Sequence, residues 1–240
     1  MATANRLLNI LKAVLNLAHH HQYVADNEAW RATKRHKGAD SVRVRYLAVD
    51  EAKRLLNACQ PDLRAMVQGA LLTGCRYSEL ARMRVHDFNP EAGAIHIRES
   101  KSGHARHVAL NDEGRALFTS LCVGKTGKEM VFLRSDGGTW KSAQQTQPLA
   151  DACKQASITP PIGFHVLRHS YASGLVMRGV PLAVVGEQLG HAKGSPVTAR
   201  HYAHLSASYI ADTVRAALPS FGLEIARSVV PHRNVNARKA

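Results

Sequence analysis

Strand-like alternation of apolar and polar residues is confined to a small part of this chain. Gly93 to Arg98 alternates, Lys101-Ser102-Gly103 makes a turn, and His107 to Leu110 alternates again, which predicts one β-hairpin. Val131 to Leu133 adds a short apolar run of strand type before the Asp136-Gly137-Gly138 turn. Almost everything else steps by three and four. The chain is therefore expected to be mainly α with a small antiparallel β-sheet. A doubly wound nucleotide-binding fold is excluded, because it needs repeated strand–helix crossovers.

The helical segments follow in order. Residues 5–22 place Leu7, Leu8, Leu11, Leu15 and Ala18 on one stripe. A lone helix of this length is marginal in water, so the stripe is expected to pack on the main domain, on a missing domain or on a second chain. Asp26 to Asp40 is a polar, basic linker or DNA-facing segment. The main domain opens near Arg43, with a helix after Asp50 and a second from Pro61 to the Thr73-Gly74 stop. Ser78 is expected to cap the next helix, with Glu79 in its first turn. Further helices are expected at 112–121, 142–156, 165–178, 182–189 and 207–217, and a turn or short helix holds Tyr202. These segments divide the chain into an N-terminal helix and basic linker (1–42), a main domain (43–220) and a basic tail (221–240).

The charge balance selects partners. Thirty-two Lys+Arg against 18 Asp+Glu give a formal net charge of +14. A field of that sign attracts polyanions, and DNA, RNA and an anionic membrane all qualify. Aromatics are only 5% of residues, which argues against a stacking platform for single strands. The basic residues expected to face phosphates are Arg31, Lys34, Arg35, Lys37, Arg106, Lys193 and Arg200. No apolar stretch approaches the roughly 18 residues of a membrane span. The four cysteines are too far apart in sequence for a metal knuckle. With no secretory leader at residues 1–20, they read as reduced thiols of a cytoplasmic protein.

Chemistry-bearing residues stand at turns and helix starts: Arg76, Lys101, His165, Arg168, His191 and Tyr202. Singly, each has an ordinary structural reading as a surface charge, a cap or a packing residue. Together they fit phosphodiester exchange. Two guanidinium forks, Arg76 and Arg168, suit the non-bridging oxygens. A loop lysine, Lys101, suits protonation of a leaving oxygen. A phenol with a pKa near 10 needs an acceptor or a positive field to become a nucleophile. His165 is a candidate acceptor, and His191 a candidate donor to a phosphate oxygen. Arg200, His201 and His204 would favour the phenolate of Tyr202. Tyr209 is its competitor as nucleophile.

These residues resemble the catalytic domain of the tyrosine recombinase (phage integrase) family. Thr73-Gly74-Cys75-Arg76-Tyr77-Ser78-Glu79-Leu80 looks like the first arginine box, and the hairpin carrying Lys101 looks like the lysine-bearing turn. Phe164-His165-Val166-Leu167-Arg168-His169-Ser170-Tyr171-Ala172-Ser173 is similar to the H-x-x-R box. Leu189-Gly190-His191 resembles the third box and Tyr202-Ala203-His204 the nucleophile segment. The resemblance covers roughly residues 43–218 and fills all six family positions.

It implies a site-specific recombinase that cuts and rejoins double-stranded DNA through a 3′-phosphotyrosine, without nucleotide or metal cofactor, as a tetramer on two duplexes. A type IB topoisomerase shares the chemistry. A DNA-binding protein that kept the fold but lost efficient recombination is the alternative of a different class. Three departures stand out. Val166 occupies a position where many relatives have Asp. His191 and Tyr202 are eleven apart where nine is usual, which leaves delivery of Tyr202 in cis or in trans open. Residues 1–42 are expected to be the remnant of a core DNA-binding domain.

Overall fold

The computed structural model describes residues 2–36, 45–98, 105–192 and 195–206. Lys37, Lys101, Lys193, Gly194, Tyr209, the expected helix at 207–217 and the tail at 221–240 lie outside the described residues, as does the turn at 101–103.

The described chain is helical with one small antiparallel sheet, as expected. In order come α1 (Ala2–His20), α2 (Glu28–Ala32), α3 (Val49–Ala58), α4 (Pro61–Thr73) and α5 (Tyr77–Ala81). Strands β1 (Phe88–Asn89), β2 (Ala94–Ile97) and β3 (Arg106–Ala109) follow, then α6 (Asp112–Cys122), α7 (Thr146–Gln155), α8 (His165–Met177), α9 (Leu182–Leu189) and α10 (Val197–Tyr202). The sheet order is β1-β2-β3, with Ile95 opposite Val108 and His96 opposite His107. The short β1 was not anticipated. Residues 131–133 do not join this sheet. Their neighbourhood forms only isolated bridges, Arg84 to Met130 and Leu133 to Thr139.

Local chemistry explains several boundaries. Pro61 opens α4, where its missing N–H costs nothing. Gly74 closes α4 at φ +64°, and a Cβ there would lie 2.4 Å from a Tyr171 ring carbon. Both the left-handed backbone and the close approach of α8 require glycine. Asn111 caps α6 by accepting from the Gly114 N–H at 2.9 Å. The cap of α5 differs from expectation. Ser78 lies inside the first turn, and the Glu79 carboxylate instead accepts from the Arg76 N–H at 2.8 Å.

Two apolar clusters hold the body together. The larger gathers Leu55, Leu63, Met66, Leu80, Ile95, Val108, Phe118, Phe132, Leu149 and Leu167 from α3 through α8. The smaller joins α8, α9 and α10 through Ala172, Val176, Val185, Leu189 and Tyr202. Helix α8 contributes to both, so its polar residues are fixed between two packed units.

The stripe on α1 is only partly covered: Leu8, Leu15 and Ala18 are half-buried, whereas Leu7 and Leu11 are exposed, as are Ile10, Val14 and Leu17 elsewhere on the helix. The polar contacts of α1 run instead to the segment after it: Asn5 accepts from the His36 N–H, Lys12 donates to the Thr33 carbonyl and Trp30 donates to Asn16. No described helix is long and apolar enough to cross a membrane.

Candidate active site

Arg76, His165 and Arg168 come together. They line one cleft with Cys75, Tyr77, Ser78 and Phe164. Arg76 stands at the start of α5, and His165 and Arg168 occupy the first turn of α8. The edge-on contact of Tyr77 with Phe164, ring centres 5.2 Å apart, ties the two helix starts together. Ser170 anchors α8 from the other side by accepting from the Leu47 N–H at 2.8 Å.

Arg168 is buried, and most of its fork is already engaged. It donates to the Gly74 carbonyl at 2.7 Å and to the Leu189 carbonyl, and its Nη2 lies 3.4 Å from His191 Nε2. These bonds fix its plane between the end of α4 and the end of α9. Burial, with Arg76 close by, lowers its pKa to about 10. His191 is held on its other side by Thr198, whose Oγ1 is 2.7 Å from Nδ1. Arg76 donates to Glu79 Oε1 at 2.8 Å while its side chain remains partly exposed to the cleft.

Arg106 was expected to face DNA, and its position corrects that. It is 7% exposed, on the inner face of β3 beside Val108. Its guanidinium donates to both Glu79 oxygens, at 3.1 and 2.8 Å, and to the Gln188 carbonyl at 2.9 Å. A buried charge persists only when paired and hydrogen-bonded, and this one is. Burial pushes the Glu79 carboxyl upward, but the hydrogen bonds and charge of Arg106, together with Arg76, outweigh it and hold the pKa low. Glu79 thus fastens Arg76 to Arg106, and the signal was in the sequence: alternation puts residues 106 and 108 on one face.

Tyr202 lies at the end of α10, 2% exposed within the smaller cluster. It does not line the cleft. Its hydroxyl is 2.5 Å from Nδ1 of His169, not beside His165 as anticipated. Burial raises its pKa to about 12, against a smaller opposing pull from Arg168. The expected depression by its basic neighbours is therefore not what the resting geometry produces. Arg31, Lys34, Arg35 and Arg200 are exposed.

The cleft carries an excess of positive charge. Arg76, Arg168 and Arg106 meet one carboxylate, Glu79, among the described residues. Burial and the nearby arginines depress His165, and push His191 down to about 4, so both imidazoles are neutral at pH 7. An anion entering the cleft would be met by the buried guanidinium of Arg168 and the partly exposed one of Arg76. No group of three or more His, Cys, Asp or Glu suited to a metal occurs among the described residues.

A helical body with a small three-stranded sheet, and two arginines and a histidine converging at two helix starts, is the architecture of a tyrosine recombinase catalytic domain. The chain belongs to the phage integrase family, whose pattern it matches over residues 45–208. It is 31% identical over 238 residues to the integrase of Salmonella phage P22, covering 94% of this chain and 59% of that protein. It is also 31% identical to the tyrosine recombinase XerD of Mycobacterium tuberculosis, covering 61% of this chain and 52% of that one. The chain thus spans little more than half the length of these relatives. Among solved structures, the catalytic domain of bacteriophage HP1 integrase matches with a TM-score of 0.54 at 28% identity, over 75% of this chain and 99% of that domain.

Proposed function

We propose that the cleft takes a scissile phosphodiester of duplex DNA and that the chain is a site-specific recombinase. The observation that carries this reading is the convergence of Arg76, His165 and Arg168 in one cleft. Arg76 and Arg168 clamp the non-bridging oxygens. His191 hydrogen-bonds to the phosphate, and His165 takes or shares the nucleophile's proton. The Tyr202 oxygen attacks phosphorus to give a 3′-phosphotyrosine. The bond to the 5′-oxygen breaks, and Lys101 supplies the proton that oxygen needs. The reverse step rejoins a strand without external energy. No nucleotide or metal enters this scheme.

The preference for duplex DNA draws on the +14 charge and on exposed Arg31, Lys34, Arg35 and Arg200, with Lys37 and Lys193 assigned the same task. Recombination between two duplexes calls for self-association on DNA, with a tetramer as the active complex. Residues 1–42 serve as an arm, residues 43–220 as the catalytic domain and residues 221–240 as a basic tail, all in the cytoplasm where the DNA is.

The burial of Tyr202 favours a second reading, a DNA-binding protein of the same fold that does not cut. One assay separates the two. A pool of nicked duplexes with randomised cores is incubated with the protein and run on a denaturing gel. Covalent retention of DNA supports the recombinase, and its absence with intact binding supports the second reading. Lys101→Ala should be rescued by a 5′-thiol leaving group, which departs without a proton. Lack of rescue removes Lys101 from the acid role.

A further inference from the structure

His169 has no part in the scheme above, yet it contacts both a residue of the cleft, His165, and the nucleophile. It sits one turn after His165 on the same face of α8, with ring centres 4.6 Å apart and the rings edge to face. His165 lines the cleft. On its other side, His169 Nδ1 meets the Tyr202 hydroxyl at 2.5 Å, with ring centres 5.8 Å apart. The phenol is therefore docked on the second imidazole of α8, one turn from the residues that face the phosphate.

The direction of this hydrogen bond follows from charge. The groups facing His169 are His165 and Arg168 on its own helix, His201 on α10 and His191 after α9. All are basic. Burial, reinforced by this surround, takes the His169 pKa down to about 4, so the ring is neutral at pH 7. A neutral imidazole has one acceptor nitrogen and one N–H. The phenol keeps its proton at neutral pH, so it donates to Nδ1, and Nε2 carries the imidazole hydrogen.

We infer that His169 is a positioning residue for the nucleophile, its Nδ1 accepting the Tyr202 hydroxyl and holding the end of α10 against α8 for delivery to the cleft. This rests on the assignment of Tyr202 as nucleophile. Substitution by phenylalanine keeps an aromatic ring but leaves a buried hydroxyl without its acceptor. Asparagine places Oδ1 near the position of Nδ1 and keeps an acceptor.

The test compares the unaltered chain, His169→Phe and His169→Asn in two measurements. The first is the carbon-13 resonance of Tyr202 Cζ in the resting protein, assigned by its loss in Tyr202→Phe. It should move in His169→Phe and stay near its original position in His169→Asn. The second is single-turnover covalent trapping of nicked duplex. It should fall about tenfold in His169→Phe, the scale of one lost hydrogen bond, and recover most of that in His169→Asn, with DNA affinity unchanged in both. An unmoved resonance in His169→Phe overturns the inference, as does trapping at the original rate. His169→Asn as slow as His169→Phe does the same. A chain that binds DNA but forms no adduct overturns the catalytic assignment and the inference with it. An adduct with an unmoved resonance overturns the inference alone.

Discussion

Glu79 is the residue on which the arginines depend. Both its oxygens are committed to Arg106, and both also to Arg76, one through the guanidinium and one through the backbone N–H. Arg106→Ala should therefore leave a buried, half-compensated carboxylate and cost about 3–5 kcal/mol in urea unfolding, the range for breaking a buried ion pair. It should leave the salt dependence of DNA binding unchanged, since this guanidinium is not on the surface. Arg168 faces a different constraint. Two of its bonds go to the Gly74 and Leu189 carbonyls, and a fork satisfies both while still facing the cleft. Arg168→Lys replaces a fork with a point charge. Single-turnover trapping should fall by about two to three powers of ten, the worth of one transition-state donor. Gly190 allows the Arg106 side chain to pass. A Cβ at that position would lie 2.9 Å from Arg106 Cδ.

At the level of elements, the hydrophobic pattern located nearly every helix and the hairpin strands, because a 3.6 or 2.0 period is a local property. The motif residues at the starts of α5 and α8 were legible through their resemblance to the family's boxes, not through any period. What escaped was non-local. The contact between His169 and Tyr202 links residues 33 apart in sequence through the packing of α10 on α8, and no period announces it. Arg106 was misread although its pairing with Val108 on one face was available, because charge was weighed above position in the strand. The α5 cap was assigned to Ser78 by residue type, whereas Glu79 reaches back to the Arg76 N–H. The junction of α4 and α8 depends on Gly74. Gly74→Ala combines a positive φ with a 2.4 Å approach to Tyr171, and should destabilise by about 1–3 kcal/mol in urea unfolding. Unchanged stability would mean that the end of α4 can move away from α8.

Over the whole molecule, charge governs both binding and pH response. A net charge of +14 and about six to ten phosphate contacts predict a loss of about 10³–10⁵ in duplex affinity between roughly 50 and 200 mM salt. Fluorescence titration across that range checks it. His169 and His191 have native pKa values near 4, against 6.5 ordinarily. Between those values the unfolded chain binds more protons than the native one, so stability falls as pH drops through that window. The urea midpoint should decline from about pH 6.5 towards 4. Replacing both histidines with asparagine should flatten that decline. Duplex DNA should oppose it, because a bound phosphate favours protonated imidazoles. The central claim is that Tyr202 attacks a phosphate held by Arg76 and Arg168. Peptide mapping of the covalent adduct, in the unaltered chain and in Tyr202→Phe, tests it most directly. The account predicts DNA attached to Tyr202, and no adduct with near-normal affinity once that hydroxyl is gone. An adduct on Tyr209, or one that survives in Tyr202→Phe, would contradict it.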